Sequence, residues 1–188
     1  MLFGEAGSTA RGLAEKLLLE LRSELGDDFN KPPCSYGNRT LWTRALIAVL
    51  SKMGCGLEYK TYPWLLDYVW WCNKTERMVL AVESELDPCS GLIEDDFQKL
   101  PSFKCPLKLF VFSTKDTEGV KQMAEGYLRC FGQHVKDEEY VLLDFTGTGP
   151  RCFWFRVPSD GALATVIFKE FGRGIPEPEQ TFSNQRNQ

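Results

Sequence analysis

The sequence predicts a mixed α/β fold (an α+β arrangement), a mixed sheet with helices on its faces, on three observations. Two apolar, β-prone segments, residues 65–72 and 78–86, flank a short polar turn and read as a hairpin. A further strand, residues 107–112, is reached only across a helix-patterned stretch, which implies a mixed sheet. The whole chain then runs helix, helix, hairpin, helix, strand, helix, strand, strand.

Each element follows from local chemistry. Residues 9–25 form the first helix: Leu13, Leu17, Leu18, Leu21 and Leu25 recur at three- and four-residue spacing, and Gly26 stops it. Residues 27–38, with two prolines and several turn formers, are a loop. Thr40 caps a second helix whose apolar face is Leu41, Ala45, Leu46, Val49, Leu50 and Met53, ended by the run from Gly54 to Gly56. Residues 57–62 read as a short strand interrupted at Pro63. The hairpin follows, with residues 73–76 as its turn, and the apolar run at residues 79–82 marks a buried central strand.

Residues 92–100 are helical, ended by Pro101. After the strand at residues 107–112 comes a helix over residues 118–131, then a strand at residues 140–145. That strand pairs with residues 151–157 as a hairpin near the C-terminus, through the turn at residues 147–150. Residues 163–171 form a short helix or strand. The expected organisation is one domain over residues 1–172 and a polar, proline-containing, flexible tail over residues 173–188.

The chain's 188 residues suffice for one domain with a real core, and its net charge of −4 argues against a protein whose main task is coating nucleic acid. The seven cysteines are widely scattered without a CxxC, and His134 is the only histidine, so a structural zinc site is not expected. Reduced cysteines acting as small buried hydrophobes, and a cytoplasmic location, are the expectation. No signal peptide or membrane span is read from the sequence.

The candidate chemistry lies in the first hairpin. Glu83 and Glu85 are two apart on a strand, so both side chains leave the same face of the sheet. Like charges held together raise each other's pKa, and a divalent cation is the most direct compensation. A turn centred near Thr75 places Asp67 across from Glu83, with Cα atoms about 5.5 Å apart. A one-residue slip would send Asp67 to the other face, so this register requires an odd-length loop or a bulge between Trp71 and Arg77. A surface hairpin with solvated acids is the alternative.

The segments LLDYVWW, MVLAVESEL, IEDDFQKL and PLKLFVFS resemble the PD-(D/E)XK nuclease superfamily, the restriction-endonuclease-like proteins. The resemblance spans residues 40–112 and implies an αβββαβ core with flanking helices. It also implies hydrolysis of phosphodiester bonds in DNA or RNA with Mg²⁺ or Mn²⁺. Carried over, Asp67 and Glu83 are the metal ligands. Glu85 stands where the family's lysine is usual, as a further ligand or base, and Lys99 on the following helix is the candidate replacement for that lysine. The implied partner is nucleic acid, with no membrane association and a homodimer left open. The alternative is a nuclease-fold binding or regulatory protein without activity.

Other residues receive plainer expectations. Lys99 as a solvated partner of Asp95 has equal standing with the site role, and Glu58 is expected at the surface more than as an accessory acid. Trp70 and Trp71 alternate to opposite faces, so at least one packs inward. Lys104, Lys108 and Lys115 are expected to be solvated more than to form a basic rim. His134 has no local nucleophile motif, and residues 147–150 read as a turn in place of a phosphate loop.

Overall fold

Leu80 and Val82 pack to one side of the central strand, and Ala81 and Glu83 to the other, and this division organises the protein. The computed structural model describes residues 8–31, 33, 36–62, 65–88, 91–135, 137–146, 150–157 and 167–173. The elements are α1 (Ser8–Leu25), a 3-10 turn (Gly26–Asn30), α2 (Tyr36–Gly56), β1 (Lys60–Tyr62), β2 (Tyr68–Cys72) and β3 (Arg77–Glu85). They continue with α3 (Ile93–Ser102), β4 (Leu107–Phe112), α4 (Thr117–Cys130), β5 (Glu139–Asp144), β6 (Arg151–Arg156) and β7 (Ile167–Arg173). The fold is mixed α/β, with a seven-stranded sheet in the order of the chain. β3, β4 and β5 run parallel, and every other neighbouring pair is antiparallel.

The two crossovers, β3–α3–β4 and β4–α4–β5, step the same way across the sheet. Connections of one hand stepping one way leave their helices on one face. Accordingly, Phe97 and Leu100 of α3 and Val120, Ala124 and Leu128 of α4 pack with Ala81, Phe110, Phe112, Tyr140 and Leu142. The leucine stripe of α1 and the Trp42–Met53 face of α2 cover Leu80, Val82, Leu109, Val111 and Leu143 on the other face. Burial of each such side chain contributes roughly 1.5–3 kcal/mol.

Several expectations shift at element boundaries. Helix α2 begins at Tyr36, before Thr40. Pro101 lies inside the last turn of α3 instead of ending it, fully buried, and the helix closes with the Phe103 amide donating to Leu100 O at 3.2 Å. A proline at this next-to-last position lacks the amide that Phe97 O would otherwise receive, and the helix closes one residue after it. Residues 167–173 are strand, and β7 extends to Arg173. The expected tail beyond it and the turn at residues 147–149 lie outside the described residues, although β5 and β6 do pair as a hairpin. Among the described cysteines all are free, but only Cys105 and Cys152 are buried, and Cys55 and Cys130 are exposed. Trp70 and Trp71 go to opposite faces, as alternation requires, with Trp70 Nε1 donating to Leu50 O. Among the described residues, no helix is long and apolar enough to cross a membrane.

The β2–β3 hairpin contains the required irregularity. Cys72 pairs with Arg77 and Trp71 with Met78, but Trp70 pairs with Leu80, leaving Val79 as an extra residue. The bulge falls just beyond Arg77, within the strand and not in the turn. Its effect is visible in packing: Met78 and Leu80, two apart, face opposite layers. Past the bulge, Tyr68 pairs with Val82, the last pair of the ladder, and Asp67 lies in the bend beyond it, near enough for its charge to act on Glu83.

Lys108 corrects the expectation of solvated lysines. It is fully buried, ion-paired to Glu138 and 4.6 Å from the centroid of the Tyr140 ring. Strand alternation turns Lys108 toward the α3/α4 face, and a buried ammonium must find a counter-charge. Glu138 also accepts from the Tyr140 hydroxyl at 2.8 Å, from the Val135 amide at 3.1 Å and bonds His134 Nδ1. Burial works against the Glu138 charge, but the bonds from His134 and the pairing with Lys108 hold its pKa below the usual carboxylate range.

Candidate functional site

Glu83 is placed by the pleat of β3 on the α3/α4 side, near the C-terminal end of the parallel strands. Its neighbours Ala81 and Val82 are fully buried, and Glu83 itself is only 2% exposed. Its Oε1 has no hydrogen-bond partner among the described residues. Burial first, and the nearby charge of Asp67 second, push its pKa up to about 7, while Lys99 acts in the opposite direction. A buried carboxylate with an unsatisfied oxygen costs free energy unless a cation or proton compensates it.

Asp67 sits in the bend before β2, exposed, and is anchored by Ser84: the Ser84 amide and the Ser84 hydroxyl both donate to Asp67 Oδ2 at 2.7 Å. This clamp leaves Oδ1 outside the Ser84 contacts. Ser84 was not singled out by the sequence, although it lies between the two acids of the ExE and its backbone amide is free of the β2 ladder once that strand has ended.

Lys99 reaches the site from α3. Its Nζ lies 3.6 Å from Glu83 Oε1, within ion-pair range but beyond hydrogen-bond reach, and 2.6 Å from Asp96 Oδ1. The Asp96 bond, with the charge of Glu83, raises the Lys99 pKa and keeps the ammonium protonated. Its helical partner is thus Asp96, not Asp95, and it joins Glu83 at the same time. Asp96 is the second residue that sequence reasoning underused; its i, i+3 spacing to Lys99 was the available signal.

Glu85 is held by a bond within its own segment. Its Oε1 accepts from the Asp87 amide at 2.7 Å, and its side chain borders a cavity against α2. Glu58 is exposed and pairs with Lys74 at the far end of the hairpin, consistent with the surface reading. Among the described residues, no group of three or more His, Cys, Asp or Glu side chains is spaced to hold a metal. What remains is a pair of carboxylates with an adjacent ammonium. Mg²⁺ takes one or two protein carboxylates and completes its shell with water and phosphate oxygens, so Asp67 and Glu83 are the residues that could hold such an ion, with Lys99 already in ion-pair range of the Glu83 Oε1 that lacks a hydrogen bond.

No protein-family model, curated protein or solved structure matches the chain.

Proposed function

We propose that this chain is a divalent-metal-dependent phosphodiesterase of restriction-endonuclease-like build, cleaving the backbone of DNA or RNA. The observation that carries the reading is the approach of Lys99 to Glu83. The sequence has a glutamate, Glu85, where the family's lysine is usual, and an ammonium from α3 now stands beside the same carboxylate. The element order α2–β1–β2–β3–α3–β4, with an antiparallel hairpin followed by a parallel crossover, supports the same reading.

In this reading Asp67 and Glu83 hold the Mg²⁺ or Mn²⁺. When bound, the ion polarises a phosphate oxygen and lowers the pKa of its water. Ser84 fixes the Asp67 carboxylate, so the ligand is oriented before substrate arrives. Lys99 supplies positive charge next to Glu83, where it orients the attacking water or meets the growing charge on the phosphate. Glu85, whose Oε1 accepts from the Asp87 amide, is assigned no ligand role in this reading.

The test is cleavage of labelled DNA and RNA with Mg²⁺ or Mn²⁺, comparing the parent with Asp67→Asn, Glu83→Gln and Lys99→Met. Cleavage by the parent, lost in all three variants with the fold retained, supports the proposal; equal activity in the Asp67 and Glu83 variants sinks it. The second reading, a nuclease-fold binding protein without activity, is favoured by the short Lys99–Asp96 bond, which already uses part of the lysine's charge. Metal binding through Asp67 without cleavage of any nucleic acid selects that reading.

A further inference from the structure

On the α2 side of the sheet, one residue along β3 from Glu83, the end of that strand and the N-terminal half of α2 line an open cavity of about 620 Å³. Arg39, Thr40, Thr43 and Arg44 line it from the helix, and Ser84 and Glu85 from the strand. The helix residues share one face because they are one, four and five positions apart, and the apolar residues Trp42, Ala45 and Leu46 occupy the buried face. Ser84 belongs to both places: it walls the cavity and anchors Asp67 through two hydrogen bonds.

The charges of the lining are not equivalent. Arg39 is ion-paired to Asp87, which also borders the cavity, so its charge is largely compensated. Arg44 is exposed, and among the described residues no carboxylate lies within ion-pair distance of it. Thr43 is next to it on the same face, its hydroxyl a donor that any anion would meet. An arginine with a neighbouring hydroxyl is a donor set that suits phosphate oxygens.

We propose that this cavity is a phosphate subsite, in which Arg44 and Thr43 grip a backbone phosphate of a nucleic-acid strand adjacent to the one at Asp67 and Glu83. The inference rests on the reading of the acid pair as a phosphodiester site, and it names where the strand continues.

The experiment measures binding of a fluorescently labelled DNA duplex and the matching RNA by anisotropy, in Ca²⁺ and across a salt series. Parent protein is compared with Arg44→Gln, Thr43→Val and Lys74→Ala. Lys74 is exposed at the hairpin turn, at the other end of β3, so its variant controls for net charge alone. Loss of one phosphate contact flattens the slope of log affinity against log salt by about 0.7–0.9. The expected result is that flattening, with affinity reduced several-fold, for Arg44→Gln, a smaller loss for Thr43→Val, and no change for Lys74→Ala. An Arg44→Gln protein with parental affinity and slope overturns the proposal, as does a parent that binds neither nucleic acid. Binding that depends on Arg44 without any metal-dependent cleavage upholds the subsite and removes the catalytic reading, so the two fail separately.

Discussion

Lys99 stands 3.6 Å from the buried Oε1 of Glu83, across the gap between α3 and β3, while its hydrogen bond goes to Asp96. The ammonium is therefore held in place by one acid and acts electrostatically on another. If it serves catalysis, Lys99→Met removes cleavage while leaving metal affinity within a few-fold of the parent, because the lysine is not a ligand. Lys99→Arg retains part of the activity. Isothermal titration with Mn²⁺ alongside a cleavage assay separates the two effects, and equal loss of metal binding and cleavage would show a structural role.

Glu83 gives a prediction that needs no substrate. Its folded pKa, about 7, lies above the ordinary value of 4.5. The folded state therefore holds the proton more tightly than the unfolded chain, and stability is lost as pH rises through that window. Glu83→Gln removes the charge but keeps the shape. In metal-free buffer it should be more stable than the parent by roughly 1–3 kcal/mol at pH ~8, with the advantage vanishing below pH ~4.5. Urea unfolding at several pH values checks it; a pH-independent difference contradicts the burial cost.

The same cost predicts linkage to the ion. Millimolar Mg²⁺ or Mn²⁺ raises the melting temperature of the parent in a concentration-dependent way, and EDTA reverses it. Asp67→Asn and Glu83→Gln lose the shift, whereas Glu85→Gln keeps it, because Glu85 points to Asp87 and the α2 cavity. Thermal melts across a metal titration decide this, and a lost shift in Glu85→Gln would place that residue among the ligands.

Lys108 and Glu138 form a buried pair whose halves depend on each other. Lys108→Met strands the glutamate in the core and should cost about 3–5 kcal/mol. Lys108→Met with Glu138→Gln should recover much of that loss. Because the folded Glu138 pKa is depressed, its contribution is complete above about pH 4.5 and falls as pH drops through the folded value. Denaturation of the single and double variants tests the coupling; additive losses would mean the pair is not coupled.

The hairpin turn stores strain at Glu76, whose φ is +51°. Glu76→Gly relieves a left-handed conformation that a side chain disfavours, and should stabilise the protein by about 0.5–1 kcal/mol. A drop in stability on chemical denaturation would contradict that turn geometry.

The mixed sheet was legible because it rests on periodicity: the leucine spacing of α1, the apolar run into Glu83 and the uniform burial of β4 all follow from short-range pattern. The approach of Asp67 to Glu83 was legible only as a condition, since the register that leads up to it, Tyr68 opposite Val82, depends on one extra residue that composition does not mark. Residue Lys108 shows where reading from sequence runs out. A lysine within LKLFVF is solvated or buried according to whether a carboxylate arrives from elsewhere, and Glu138 is thirty positions away in the chain. Lys99 was found because the resemblance calls for a lysine and this one lies on the helix that follows the ExE strand; Ser84 was missed because its role is a bond to a residue outside its own element.

The bulge at Val79 also determines where this hairpin tolerates a change of length. Val79 has no partner in the ladder, so removing it restores regular pairing and leaves Tyr68 opposite Val82, with Asp67 in the bend beside them. Removing Leu80 instead lets Val79 take its place opposite Trp70, and the residues beyond keep their faces, because either deletion consumes the same extra residue. The hairpin thus has one spare residue, so a first single deletion at Val79 or Leu80 should leave a working site, and a second from the same stretch, with nothing spare to draw on, should turn Glu83 to the opposite face and dismantle it.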